Sequence, residues 1–242
     1  MDVTIMWVRK STLMAYLKCP RKAYYMAIHP EDVGSIEAQV GRMFHEYAYS
    51  FFDWVDVREL HDNDKYSPIP QDTPIIVQRL CKAFLEFERK RLRKIVETYG
   101  WDAVELFWKP VMREVEVKCP EYQMLGHIDR IDRTENGNYV IVEYKTSHRM
   151  NKSSLRFELS YYVMLCACAE PLPRVPSYIA CYNPRLDEFF VEEVRMNVLR
   201  RVAAAVYKFT HSTSIEDFPR KPSHLCGYCP YVEICGLQTD GA

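Results

Sequence analysis

Long apolar runs are missing from this 242-residue chain. The longest wholly apolar stretch, residues 161–169, covers nine positions, whereas a membrane-spanning helix needs about 18 to 20. The start, Met1-Asp2-Val3, also lacks the charged-then-apolar pattern of a secretory leader. The expectation is a soluble, cytoplasmic protein with no membrane partner. A dominant charge is missing too: 32 Lys+Arg stand against 33 Asp+Glu, a net charge of −1. No basic field covers the whole molecule, so a nucleic-acid site would have to be local. There is no internal repeat and no low-complexity segment, which leaves no sign of a solenoid. What is present is 48% hydrophobic and 13% aromatic residues, enough for a substantial core and too apolar for disorder.

Cysteine, by contrast, is abundant. Nine is an odd number, so they cannot all pair internally, and a reducing compartment disfavours disulfides. Cys81, Cys119, Cys166, Cys168 and Cys181 lie in apolar or strand-like stretches and are expected as small buried hydrophobes, none in a disulfide. The last three read Cys226-Gly-Tyr-Cys229-Pro-Tyr-Val-Glu-Ile-Cys235. Gly227 and Pro230 suit a tight loop around thiolates, and three thiolates leave a four-ligand centre one short. Cys19, in Leu17-Lys18-Cys19-Pro20-Arg21-Lys22, repeats the Cys-Pro pair of Cys229-Pro230. His224 competes as the fourth ligand and would favour zinc. The spacing leaves zinc and iron–sulfur open. With Cys19 as ligand, the centre would join segments 207 residues apart, a costly loop to close without coordination.

Periodicity predicts helices over residues 11–25, with Ser11 as N-cap, over 36–57, and over 75–99 after a proline-containing loop at 61–74. The period then changes to two. Strands are expected at 111–117, 123–133 and 138–145, the last two joined around Asn136-Gly137. A helix at 154–169, strands at 177–182 and 188–194, and a helix at 197–211 follow. The order describes one α/β domain over 1–242: a mixed sheet flanked by helices (105–211), a helical N-terminal part (11–100) and a cysteine region (212–242) completed by Cys19. Residues 89–94, Arg-Lys-Arg-Leu-Arg-Lys, are either a solvated helix face or a stripe that tracks phosphates.

The chemistry-bearing segment is Gly126-His127-Ile128-Asp129-Arg130-Ile131-Asp132, followed by Val140-Ile141-Val142-Glu143-Tyr144-Lys145. In a strand Glu143 and Lys145 share one face, with Val140, Val142 and Tyr144 on the apolar other. Asp129 and Glu143 offer hard oxygens suited to Mg²⁺ or Mn²⁺. Such an ion activates water and polarises a phosphate, while Lys145 can orient the water and offset developing charge. An exposed Glu–Lys pair near a hairpin end is the plain alternative. The site requires Asp129 opposite Glu143, hence Thr134 opposite Asn138 and a three-residue loop, Glu135-Asn136-Gly137, with Gly137 free to take positive φ. A plain two-residue Asn136-Gly137 turn would put the carboxylates on opposite faces. Upstream, His45 in Gly41-Arg42-Met43-Phe44-His45-Glu46 is a candidate third ligand and favours Mn²⁺.

Together these segments resemble the RecB-like branch of the PD-(D/E)XK nucleases, and more narrowly its iron–sulfur members, the CRISPR-associated Cas-four exonucleases. The likeness runs from Ser11 to Cys235. It rests on the Cys19 helix, Gly41-x-x-x-His45, Gly126-x-x-Asp129, Glu143-Tyr144-Lys145, Glu158-x-x-x-Tyr162 and the three C-terminal cysteines, in the family's order. The resemblance implies a restriction-endonuclease-like core. It implies His45, Asp129, Glu143 and the Tyr144 backbone carbonyl as ligands of Mn²⁺ or Mg²⁺, and Lys145 as the water-orienting residue. It implies an iron–sulfur cluster, 4Fe-4S ahead of 2Fe-2S, on Cys19, Cys226, Cys229 and Cys235. The family commonly has Gln where Glu158 stands. Gln can donate to a phosphate, but an ionised Glu only accepts. Tyr162 could stack on a base, and Arg21 and Lys22 are candidate DNA contacts.

The expected function is a metal-dependent exonuclease on single-stranded DNA or DNA ends, in CRISPR spacer acquisition with integrase partners. The alternatives are a stand-alone repair or viral recombination nuclease, or a non-catalytic iron–sulfur protein that binds DNA ends. No helicase motif is present, so any motor would be a separate chain.

Overall fold

The computed structural model describes residues 7–29 and 34–236; the Met1-Asp2-Val3 start lies outside them. Among these residues no helix is long and apolar enough to cross a membrane.

Helix α1 (Lys10–Lys18) and α2 (Pro20–Ile28) replace the single helix expected over 11–25. The break is at Cys19, which is extended at φ −150° and ψ 106°. Pro20 causes it: proline has no N–H to continue α1 and disfavours helical geometry in the residue before it, yet fits the first position of α2. The N-cap of α1 is Arg9, not Ser11. Helix α3 (Ile36–Trp54) starts at Ser35, whose hydroxyl accepts from the Ala38 N–H at 3.1 Å. It stops short of 57, because Asp56 caps a new short helix, α4 (Val57–Asp62), by accepting from the Arg58 and Glu59 N–H groups. Helix α5 covers Ile75–Tyr99, as the sequence predicts.

Five strands follow with helices between them: β1 (Met112–Cys119), β2 (Met124–Arg133), β3 (Tyr139–Tyr144), α6 (Lys152–Ala169), β4 (Tyr178–Asn183), β5 (Glu188–Glu193) and α7 (Met196–Thr210). The sheet order is β1-β2-β3-β4-β5. β3 and β4 are parallel and the other neighbours antiparallel. A parallel pair needs a crossover connection, and α6 supplies it. The mixed sheet flanked by helices is the expected architecture.

Alternation in the strands sorts the core into two layers. Ile141, Ile179 and Cys181 face a layer built with α1, α6 and α7. Val142, Tyr144, Ala180 and Tyr182 face a layer built with α3 and α5. The β2–β3 register pairs Arg130 with Val142 and Arg133 with Tyr139. Thr134 donates to the Asn138 carbonyl at 2.9 Å, and Gly137 takes φ +74°. This is the three-residue loop that the site requires.

Two expectations fail here. Cys119, at the end of β1, is disulfide-bonded to Cys168 in the last turn of α6, with Cα atoms 5.9 Å apart. Packing of that helix on the sheet brings together two cysteines the sequence treats as unrelated; Cys81, Cys166 and Cys181 are free and buried as expected. The basic stretch at 89–94 is neither a phosphate stripe nor simply a solvated face. Arg89 is buried and donates to the carbonyls of Asn63 at 3.0 Å and Tyr66 at 2.6 Å. Arg93 donates to the His61 carbonyl and to Asp64, each at 2.7 Å. Arg91 pairs with Glu88 and Asp132. The planar guanidinium forks suit these carbonyls and carboxylates, so the arginines fasten α5 to its neighbours and only Lys90 and Lys94 are exposed.

The centre of that fastening is Arg130, 1% exposed. Its guanidinium donates to Asp132 at 2.6 and 2.8 Å, Glu88 at 2.6 Å and the Tyr144 hydroxyl at 3.0 Å. Removing one member strands buried opposite charges. Arg130→Met is expected to lower unfolding stability by about 3–5 kcal/mol, read from urea denaturation; a midpoint equal to wild type would show that the network carries no net stability.

Candidate active site

The β2–β3 ladder ends at Arg130 and Val142, one residue short of the carboxylates on each strand. Beyond it the strands part. The Tyr144 N–H donates to an Asp129 carboxylate oxygen at 2.8 Å, and the Lys145 N–H stays with β4 by donating to the Tyr182 carbonyl at 3.0 Å. The fork opens a cleft of about 870 Å³ whose lining includes His45, Glu114, Asp129, Glu143, Lys145 and Lys10.

His45 reaches the cleft from α3. Its neighbour Phe44 is buried against Phe84 and Tyr144, which anchors the turn that presents the imidazole. His45 Nδ1 lies 3.6 Å from Asp129 and 3.5 Å from Glu114. His45, Glu114 and Asp129 each place a ligand atom within 4.8 Å of the others and could hold a divalent ion. Burial works against the imidazolium, but Glu114 and Asp129 overcome it and raise the His45 pKa. Asp129 is raised above the usual carboxylate range, first by burial and then by Glu143.

Glu143 is 3% exposed. One oxygen accepts from Lys145 at 2.8 Å and also from Lys10. Burial pushes its pKa up, but the two ammonium groups win and hold it well below the ordinary value. The other oxygen, Oε2, is buried and has no hydrogen-bond partner among the described residues. A buried carboxylate oxygen left unpaired costs free energy unless something occupies it. Glu143 is not one of the three residues whose ligand atoms lie within 4.8 Å of one another, His45, Glu114 and Asp129, but its orphan oxygen shares their cleft, and carboxylate and imidazole donors of this kind suit a hard divalent ion.

The fork thus brings four expected residues together: His45, Asp129, Glu143 and Lys145, with Tyr144 between the last two. It also adds two that sequence reasoning missed. Glu114 alternates with Glu116 in an ordinary strand pattern, so nothing marked it. Its φ of +45°, rare for a residue with a side chain, lies at the point on β1 opposite Asp129, between the pairs Arg113–Arg130 and Val115–Ile128. Lys10 carried no signal at all, because it reaches the site only through the docking of α1.

The expected DNA contacts fare differently. Glu158 is at the site, accepting from Lys145 at 2.9 Å and from the Ser154 hydroxyl at 3.0 Å. The lysine neutralises it, so it acts on Lys145 and is not a bare charge facing a phosphate. Tyr162 lines the cleft but is 3% exposed. Its ring packs so close to Gly126 that a Cβ there would lie 2.8 Å from it. A ring packed this way has no open face for a base, and its role is that of a wall. Arg21 donates to the Phe218 carbonyl at 2.8 Å, and Lys22 lines a separate cavity. Both lie with the cysteine tail, because the Pro20 break points α2 there.

That second cavity is small and lined by Cys19, Cys226, Cys229 and Cys235, with Tyr25 and Tyr231 behind them. Cys235 is buried and the other three are half-buried. All four sulfurs are free and open onto one space with Lys22 and Arg220 beside it. A thiolate-bound centre fits this donor set. His224, the competing ligand, does not line the cavity.

Residues 10–236 match the PD-(D/E)XK nuclease superfamily. No curated protein matches the chain. Among solved structures it is similar to SSO0001, at 16% identity and a TM-score of 0.44, covering 96% of this chain and 86% of that one. It is also similar to a "Putative exonuclease" from Eubacterium rectale, at 11% identity and a TM-score of 0.48, covering 100% and 92%.

Removing the Glu114 charge separates this residue's contribution from its neighbours'. Glu114→Gln is expected to weaken Mn²⁺ binding by about tenfold in a calorimetric titration. An unchanged dissociation constant would exclude Glu114 from the ion's surroundings.

Proposed function

The chain belongs to the PD-(D/E)XK nuclease superfamily, and on that premise we propose that it is a metal-dependent deoxyribonuclease acting on single-stranded DNA or DNA ends. The observation that carries this reading is the cleft that His45, Glu114 and Asp129 share with Glu143, whose buried Oε2 has no hydrogen-bond partner among the described residues. In this reading His45, Asp129, Glu143 and the Tyr144 carbonyl hold Mn²⁺ or Mg²⁺, with Glu114 in reach. Such an ion would supply Lewis-acid polarisation of the scissile phosphate and would ease deprotonation of the attacking water.

The chain's own groups do the positioning. Lys145 is held between Glu143 and Glu158 at 2.8 and 2.9 Å, so its ammonium is fixed in direction rather than free to wander on a long stem. It can donate to the attacking water and stabilise charge that builds on the phosphate. The Tyr144 N–H fixes Asp129, so one Asp129 oxygen is committed and the other faces His45. The wall formed by Tyr162 closes one side of the cleft, which favours a flexible strand or frayed end over a rigid duplex.

The four-cysteine cavity supports a thiolate-bound centre, and the resemblance to the iron–sulfur branch of the superfamily is the reason for reading iron rather than zinc there. Cys19, Cys226, Cys229 and Cys235 hold an iron–sulfur cluster in this reading, 4Fe-4S ahead of 2Fe-2S. Its position away from the carboxylates makes it structural, tying α2 to the C-terminal tail. On the same resemblance, exonucleolytic trimming of DNA for CRISPR spacer acquisition, in the cytoplasm and beside integrase proteins, is the cellular role we infer.

End-labelled single-stranded DNA tests the chemistry. Wild type with Mn²⁺ is expected to digest it, a chelator to stop it, and Lys145→Ala to slow it by about 10²–10³. Undiminished digestion by the alanine variant would sink the catalytic assignment. The cysteine centre is tested apart from activity. Anaerobically purified wild type is expected to be brown and to contain iron. Cys229→Ser is expected to lose the colour and to melt at a lower temperature. A colourless protein that contains zinc would reject the cluster.

A further inference from the structure

Lys10 stands where a helix disfavours it. It is the first residue of α1, and no acidic residue occupies that first turn. A cation at a helix N-terminus meets the positive end of the macrodipole, so α1 itself gives no reason for a lysine there. The reason lies across the cleft. The Lys10 ammonium contacts Glu143 and sits 4.9 Å from the centre of the Tyr162 ring. The two lysines of the site therefore differ in their freedom. Lys145 is clamped between two carboxylates, Glu143 and Glu158. Among the described residues Lys10 contacts one carboxylate, Glu143, with Asp129 and Glu158 acting on it only from farther off, and Glu143 is one that a divalent ion would take.

We propose that Lys10 is the phosphate-holding residue of this site, parked on Glu143 until a divalent ion claims that carboxylate and then turned onto a DNA phosphate. The proposal rests on the nuclease reading above. An ion on the free oxygen of Glu143 shares one carboxylate with the Lys10 ammonium, and the two cations repel. Lys10 is then displaced from Glu143 but remains anchored at the start of α1, on the lining of the cleft. It needs a new anion, and the phosphate that the ion recruits is the one within reach. Metal binding would thus arm the contact: without the ion, Lys10 neutralises Glu143 and the cleft holds DNA weakly.

The test compares wild type with Lys10→Met and Lys10→Arg, after thermal melts by circular dichroism confirm that all three fold alike. Mn²⁺ titration by calorimetry, without DNA, reads the parking contact; Lys10→Met is expected to bind the ion several-fold tighter, because a competing cation has gone. Fluorescence anisotropy of single-stranded DNA in Ca²⁺ reads the phosphate contact. There Lys10→Met is expected to bind about tenfold more weakly, and its log–log salt slope to fall by about 0.7, one phosphate's worth. Lys10→Arg is expected to stay near wild type in DNA affinity. Equal or weaker Mn²⁺ binding by Lys10→Met, or an unchanged DNA affinity and slope, overturns the proposal. Wild type that fails to cut DNA in Mn²⁺ overturns the nuclease reading instead, while the calorimetric comparison still decides whether Lys10 competes for Glu143.

Discussion

Two carboxylates buried side by side at the end of a hairpin are the constraint around which this molecule is arranged. Asp129 and Glu143 repel each other in a region from which water is largely excluded, where an uncompensated charge is costly. Each is answered differently. Glu143 draws two ammonium groups onto one oxygen and leaves the other bare. Asp129 has a backbone N–H and an imidazole, and its affinity for a proton rises. The pair has more negative charge than its neighbours neutralise evenly, and that imbalance suits a divalent cation.

The rest of the fold keeps this arrangement from relaxing. The apolar faces of β3 and β4 pack Tyr144 and Tyr182 against α3 and α5, so the strands cannot rotate to expose Glu143. Behind the site, Arg130 ties Asp132, Glu88 and the Tyr144 hydroxyl together, one residue along β2 from Asp129. In front, α1 begins at the site with Lys10 and is followed directly by Cys19 in the cysteine cavity. Nine residues of helix, about 13 Å, link the two centres, so whatever holds Cys19 also sets where Lys10 falls.

Much of this was legible in the primary structure. The switch of period from 3.6 to 2 and the odd spacing of the Asp129–Glu143 hairpin each depend on neighbouring residues, and the structure has the helices and the register they imply; the break at Cys19-Pro20 is just as local, yet one helix was expected across it. The errors have a common character. The run at 89–94 has the composition of a DNA-binding stripe, yet its arginines found carbonyls and carboxylates on segments up to 41 residues away. Tyr162 matched a motif but was covered by the close approach of α6 to Gly126. Glu158 has no donor for a phosphate, and its partner is Lys145.

What the sequence determined by itself was therefore local: which stretches are helix or strand, which side of a strand bears charge, and which residue types are present for metal and phosphate chemistry. Periodicity and proline restrictions act over a few residues, and a chain obeys them wherever it is later placed. Tertiary structure alone decided the partners that no motif marked: Glu114 turned toward His45, Lys10 delivered to Glu143, and Cys119 joined to Cys168. Those pairings depend on how elements dock across the sheet, a sum of many small packing terms that no single segment encodes.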